Sequence, residues 1–199
     1  VSIPFGVTDS AQVRLVAVDI YGNEGDDLSE YFSITDNTPP VVDINHTGNV
    51  YISENITLSW DATDNTGLDH HVIYLSIDGG QEFTEIGSIS EPETGLSWTV
   101  PNIDTEEARL AIVSTDLVGL TDSDTTQLFS ILDGIAPQVT VTGPGVDHTV
   151  PEFHPVTVTW DASDNIALDS VWFWYSANGG TEYIYMGDTT ASVFEYSFM

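Results

Sequence analysis

The sequence predicts an all-β chain of tandem β-sandwiches, and three observations carry that prediction. The chain repeats itself: Tyr31-Phe32-Ser33-Ile34 returns as Leu128-Phe129-Ser130-Ile131, and Asp19 with Gly22 returns as Asp116 with Gly119, both 97 positions on. Trp60-Asp61-Ala62-Thr63-Asp64-Asn65 returns as Trp160-Asp161-Ala162-Ser163-Asp164-Asn165, and Gly79-Gly80 as Gly179-Gly180, now 100 positions on. The added residues fall in the proline- and histidine-bearing segment 142–155, which reads as a loop. Within each repeat, apolar and polar residues alternate with the period of a half-buried strand. Turn signals such as Asp78-Gly79-Gly80 and Asn178-Gly179-Gly180 cut the apolar runs too short for helices.

The elements follow in order through the complete repeat. Strand A lies near 41–45. Strand B, 55–60, alternates strictly through Asn55-Ile56-Thr57-Leu58-Ser59-Trp60, as does its counterpart Val156-Thr157-Val158-Thr159-Trp160. C takes 70–77 and C′ 82–88, either side of the Gly79-Gly80 turn. E takes 95–100, F 109–115 through Leu110-Ala111-Ile112-Val113, and G 125–131. Seven short strands in one repeat are the signature of an immunoglobulin-like sandwich, and the absence of cysteine points to its fibronectin-III-like or bacterial Ig-like variant. Proline-bearing joints at Asp36-Asn37-Thr38-Pro39-Pro40 and Asp133-Gly134-Ile135-Ala136-Pro137 separate the sandwiches. Residues 1–35 then supply strands E to G of a first repeat, 36–132 one complete repeat, and 133–199 strands A to E of a third: one complete sandwich and two partial ones.

Charge narrows the function. Against 32 Asp and Glu stand only Arg14 and Arg109, for a formal charge of −30. Nothing can neutralise a phosphate backbone, so nucleic acid is excluded as the main partner, and an anionic membrane surface is disfavoured. No apolar run approaches the ~18 residues of a membrane span. Without cysteine there is no disulfide framework, thiolate nucleophile or zinc–thiolate site. The acids must be solvated, hydrogen-bonded or paired with a metal ion.

The joint Asp36-x-x-Pro39-Pro40, the loop Asp61-x-x-Asp64-Asn65-x-Gly67-Leu68-Asp69 and the turn Thr115-Asp116-x-x-Gly119 resemble the tandem Ig-like repeats of prokaryotic cell-surface proteins, of adhesin or S-layer type. The resemblance implies an extracellular or cell-surface setting and calcium held at junctions between modules. Two departures bear on it: Ala167 stands where the second repeat has Gly67, and Leu120 where the first has Asn23.

Read physically, the B–C loop, the F–G turn and the joint share one end of such a sandwich. That gathers Asp36, Asp61, Asp64, Asn65, Asp69 and Asp116 at the first junction, with Asp19 the counterpart of Asp116 in the first repeat. Asp133, Asp161, Asp164, Asn165 and Asp169 form the second set. Calcium takes six to eight oxygen ligands and would hold such acids together, whereas magnesium prefers a rigid, water-rich shell. The same residues also suit turns, because Asp and Asn side chains bond nearby backbone amides.

The remaining candidates are fewer. Trp60 and Trp160 end strand B on its inward face. Ile73, Leu75 and Ile77 are expected in the core with Phe173, Tyr175 and Ala177, which turns Trp172 and Trp174 outward with Tyr185 alongside. That face is either a ligand platform for surface glycans or a protein, or a surface covered by a neighbouring strand. Asn45-His46-Thr47 and Asn55-Ile56-Thr57 fit the glycosylation sequon at Asn45 and Asn55. The five histidines lack zinc-ligand spacing, His70 and His71 point to opposite faces, and no Ser-His-Asp constellation or nucleophile elbow is evident.

The expected function is therefore non-catalytic: a calcium-stiffened structural segment of an adhesin stalk, S-layer or filament. Its expected partners are neighbouring repeats, including other copies in a homopolymer if the strands of 1–35 complete the sandwich begun in 133–199. The alternative is a carbohydrate- or protein-binding accessory module of a secreted hydrolase.

Overall fold

The computed structural model describes residues 6–46 and 48–198. The described chain is all-β. Strands β1 (Thr8–Ala11), β2 (Arg14–Val18), β3 (Glu24–Leu28) and β4 (Phe32–Ile34) form two antiparallel pairs, β1 with β4 and β2 with β3. The complete repeat follows with β5 (Val41–Asn45), β6 (Val50–Tyr51), β7 (Asn55–Thr63), β8 (Leu68–Ser76), β9 (Thr84–Ser90), β10 (Gly95–Thr99), β11 (Thr105–Asp116), β12 (Thr121–Thr125) and β13 (Phe129–Leu132). The last set is β14 (Gln138–Gly143), β15 (Val156–Ser163), β16 (Ser170–Tyr175), β17 (Ile184–Thr190) and β18 (Glu195–Phe198).

In the complete repeat, one sheet runs β10–β7–β5, which is E–B–A. The other runs β6–β13–β11–β8–β9, with β12 also paired to β11, and holds G, F, C and C′. This is the immunoglobulin-like sandwich with C′ on the C–F–G sheet. Its core follows from the alternation: Leu58 and Trp60 from β7, Ile73 from β8, Leu110 and Ile112 from β11 and Ile131 from β13 are all buried. Side chains close its edge, where the Val42 and Ile44 amides of β5 donate to Asp122 Oδ2 and Asp124 Oδ2 of β12 at 3.4 and 3.0 Å. Two acids are thereby used as replacements for a missing ladder.

The chain divides into two compact units. One comprises residues 1–50, 54–100 and 105–131; the other comprises 51–53, 101–104 and 132–199. In the second, the sheet β14–β15–β18 and the pair β16–β17 enclose an aromatic cluster. Phe173 sits at its centre, 5.1 Å from the Trp160 ring, 5.3 Å from Tyr196 and 5.2 Å from Phe198. Trp60 and Trp160 both point inward, as the alternation requires.

The inward series expected on strand C is shorter than the sequence suggests. Ile73 and Leu75 are buried, but Ile77 lies past the end of β8 and is exposed, as are Tyr175 and Ala177 in the last repeat. The turn that follows explains the change, because Ser76 folds back onto it: the Ser76 hydroxyl donates to Asp78 Oδ1 at 2.7 Å, and Gln81 and Glu82 amides bond the same carboxylate. The last repeat builds the same turn on Asn178, which accepts from the Ser176 hydroxyl and the Glu182 amide.

These bonds, led by the Ser76 hydroxyl, hold the Asp78 carboxyl below the usual carboxylate range. Stability from this ionisation is present above the unfolded value, about 3.9, and is lost as pH falls through the lower folded value. Asp78→Asn, the residue of the last repeat, is expected to fold normally. Acid melts should show the parent losing stability relative to this variant only below about pH 4; a constant difference would show that the turn does not depend on the charge.

Candidate metal centre

The joint, the B–C loop and the F–G turn of the complete repeat converge on three carboxylates. One oxygen from each of Asp36, Asp64 and Asp116 lies within 4.8 Å of the others. Each arrives by a different local device.

Asp116 arrives by strand periodicity. Ala108, Leu110, Ile112 and Ser114 are the buried inward residues of β11, and Asp116 is next in that series, 1% exposed. Its Oδ1 accepts the Val118 and Leu120 amides at 2.9 and 2.8 Å, tying the F–G turn. Its Oδ2 is buried and accepts nothing.

Asp64 arrives by turn chemistry. Oδ1 accepts the Thr66 and Gly67 amides at 2.7 and 3.0 Å and lies 2.9 Å from the Thr66 hydroxyl oxygen, while Oδ2 is again buried without a donor. Burial pushes its carboxyl up, but the bonds from Thr66, Gly67 and Asn65 together outweigh it and hold it below its usual value. Gly67 has φ 110°, a conformation that disfavours a side chain, and a Cβ there would meet Leu117 Cδ1 at 3.1 Å. The Leu117 amide donates to the Gly67 carbonyl at 3.1 Å, which joins the two loops.

Asp36 comes from the joint. The Thr66 hydroxyl donates to its Oδ2 at 2.7 Å, and the Thr38 amide and Asn65 side chain to its Oδ1 at 3.0 and 3.2 Å; these bonds, the hydroxyl first, lower its pKa. Neither arginine serves the cluster: Arg14 pairs with Asp26 at 2.7 Å, and Arg109 donates to the Thr126 carbonyl at 3.1 Å.

The turn after β2 is an internal control. Asp19 Oδ1 accepts the Tyr21 and Asn23 amides at 2.8 and 2.9 Å, as Asp116 does in its own turn, but the Asn23 side chain also donates to Asp19 Oδ2 at 2.7 Å. Leu120 occupies the position of Asn23 and cannot donate. The departure of Leu120 from Asn23 therefore leaves a carboxylate oxygen of Asp116 unused, whereas Asp19 is exposed and both its oxygens accept bonds within its own turn.

Four other expected ligands lie elsewhere. β7 and β15 run three residues further than the sequence suggested, so Asp61 and Asp161 are strand residues paired with Asp43 and Thr140. Asp61 Oδ2 accepts from the Asn45 side chain at 2.8 Å. Asp69 faces solvent at the start of β8, 2.8 Å from His70 Nδ1, and Asp169 is exposed. Asn65 stands at the cluster but donates to Asp36.

The second set, in the second unit, is amide-rich. Asn165 Nδ2 donates to Asn102 Oδ1 at 2.9 Å and to Asp133 Oδ1 at 3.2 Å. Asp164 Oδ2 accepts the Ile166 and Ala167 amides, leaving Asp164 Oδ1 and Asn165 Oδ1 buried without donors.

Tertiary structure also assembles a polar triad that the sequence conceals. His71 Nδ1 lies 2.8 Å from Ser114 Oγ, and Nε2 lies 2.8 Å from Glu91 Oε1. In the tautomer that donates Nε2–H to Glu91, Nδ1 accepts the hydrogen bond of the Ser114 hydroxyl. The arrangement has the connectivity of an acyl-transfer triad, but His71 and Ser114 are both fully buried, with the Trp60 ring 5.2 Å from the imidazole, so no substrate can reach the hydroxyl. Its work here is to satisfy polar groups inside the sandwich. Ser114→Ala should cost about 1–3 kcal/mol by stranding His71 Nδ1, read by urea unfolding; a neutral effect would show that the bond contributes nothing.

Of the sequon residues, Asn45 is engaged with Asp61, Asn55 Oδ1 accepts the Ser97 hydroxyl at 3.0 Å, and Thr47 lies outside the described residues.

No protein-family model matches the chain, and no curated protein matches it. Among solved structures it is similar to one described as structures of Clostridium thermocellum CbhA fibronectin(III)-like modules, with 17% identity and a TM-score of 0.34 over 79% of this chain and 78% of that one. The sandwich assignment is drawn from strand order and burial, not from this likeness.

Proposed function

We propose that the chain is a non-catalytic structural segment of a secreted or cell-surface protein, whose joint at residues 36–40 is stiffened by calcium held by Asp36, Asp64 and Asp116. One observation carries the reading: two buried carboxylate oxygens, Asp64 Oδ2 and Asp116 Oδ2, accept no hydrogen bond and belong to side chains that approach within 4.8 Å at the joint. Like charges at such distances repel by about 1 kcal/mol in water and about 4 kcal/mol at a protein surface. Only a cation reverses that sign. A hard, oxygen-only donor set in flexible loops suits calcium better than magnesium. Adhesin stalk, S-layer and filament are the settings in which a rigid acidic repeat is useful, and high acidity keeps such an array soluble.

The mechanism is mechanical. Asp64 and Asp116 belong to the sandwich and Asp36 to the chain entering it, so an ion shared by all three fixes the entry angle of that chain. Limited proteolysis tests this directly. Cleavage within residues 36–40 should be slow in calcium and several-fold faster in chelator. Equal rates would remove the stiffening role.

A further inference from the structure

On β16 the alternation sends Phe173 into the core and turns Trp172 and Trp174 outward. The cross-strand partners of these two are Asp188 and Tyr185 on β17, so all four share the outer face of the pair. Trp172, Trp174 and Tyr185 are 64, 54 and 48% exposed. Their rings are held in place: Trp174 and Tyr185 pack edge to face at 5.2 Å, Trp172 Nε1 donates to Ser170 Oγ at 3.0 Å, and the Tyr185 hydroxyl donates to Asp188.

The complete repeat shows that the fold does not ask for these residues. At the corresponding positions it carries Val72, Tyr74, Glu85 and Ser88, paired in the same register. Two indoles and a phenol have thus been placed where a valine, a tyrosine and a glutamate suffice for the sandwich. Charge selects the occupant. In a chain with 32 acids, β16 and β17 together carry one, Asp188, and it is engaged by Tyr185. A basic partner would find a single occupied carboxylate here, and the net charge of −30 repels a polyanion. An uncharged partner with apolar faces and a hydroxyl rim matches the surface: its faces stack on the rings, and its hydroxyls meet Ser170 and Asp188.

We propose that this outer face, built on Trp172, Trp174 and Tyr185, binds an uncharged polysaccharide through its pyranose faces. The site is separate from the carboxylate cluster and does not depend on it.

The test is affinity electrophoresis of the full 199-residue chain in gels containing hydroxyethylcellulose, arabinoxylan, galactomannan or soluble starch, with polygalacturonate and an oligoarginine peptide as charged probes. At least one neutral polymer should retard the chain, equally at low and high salt. Trp172→Val with Tyr185→Glu installs residues the complete repeat already tolerates, so the fold, checked by circular dichroism and melting, should persist. The affinity should fall at least about tenfold. Retardation by none of the neutral polymers, retardation that survives in the folded double variant, or binding confined to oligoarginine and abolished by salt would each overturn the proposal.

Discussion

Asp116→Asn should raise the melting temperature of the calcium-free protein and remove most of the rise that calcium produces in the parent. The asparagine keeps Oδ1, so the Val118 and Leu120 amides retain their acceptor and the F–G turn survives. What changes is the second position, where a buried oxygen without a donor becomes an amide that can itself donate toward Asp64. Without an ion, a repulsion of ~1–4 kcal/mol is relieved. With an ion, a charged ligand is lost. For the parent, calcium at a hundredfold excess over Kd contributes about 2.7 kcal/mol, or roughly 10–20 °C in a sandwich of about 100 residues. The two melting curves therefore cross as calcium is added. Parallel curves, with the same calcium increment in parent and variant, would mean that Asp116 is not a ligand. Asp19→Asn serves as the control, since both oxygens of Asp19 are already used within its turn, and it should leave the increment untouched.

Ile112→Ala should be the most damaging of the predicted changes. Ile112 is fully buried at the centre of β11, paired with Ile73 of β8 on one side and with Asp124 of β12 on the other. Deleting its side chain removes transfer free energy and leaves a cavity that close-packed neighbours fill only in part, a loss of about 2–5 kcal/mol. Chemical unfolding should show a lower midpoint. The calcium increment should persist at temperatures where the variant remains folded, because the position of Asp116 is set by its own turn bonds as well as by the strand. A loss below about 1 kcal/mol would place the core elsewhere.

Much of the architecture was legible because it depends on period alone. Alternation along Asn55–Trp60 and Leu110–Val113, repeats spaced 97 and 100 residues apart, and glycine-marked turns suffice to order the strands and to send Trp60 and Trp160 inward. The meeting of Asp36, Asp64 and Asp116 was also legible, since one end of a sandwich must collect the joint, the B–C loop and the F–G turn. Strand ends were not. Asp61 and Asp161 look like loop acids, yet pairing with β5 and β14 carries β7 and β15 past them, because a ladder continues wherever a neighbouring strand still offers partners.

What only the tertiary structure decided are matters of which donor reaches which acceptor. Asp19 and Asp116 stand in matching motifs, and a single residue, Asn23 against Leu120, decides whether the second carboxylate oxygen is satisfied or left without a donor. His71, Glu91 and Ser114 are separated by 20 to 43 positions and share no motif, so their bonding appears only once β8 and β11 pair His71 with Ser114. Periodicity determines the face on which a residue lies. Hydrogen-bond satisfaction depends on distances of a few tenths of an ångström between segments far apart in the chain, and those exist only after the sheets have packed.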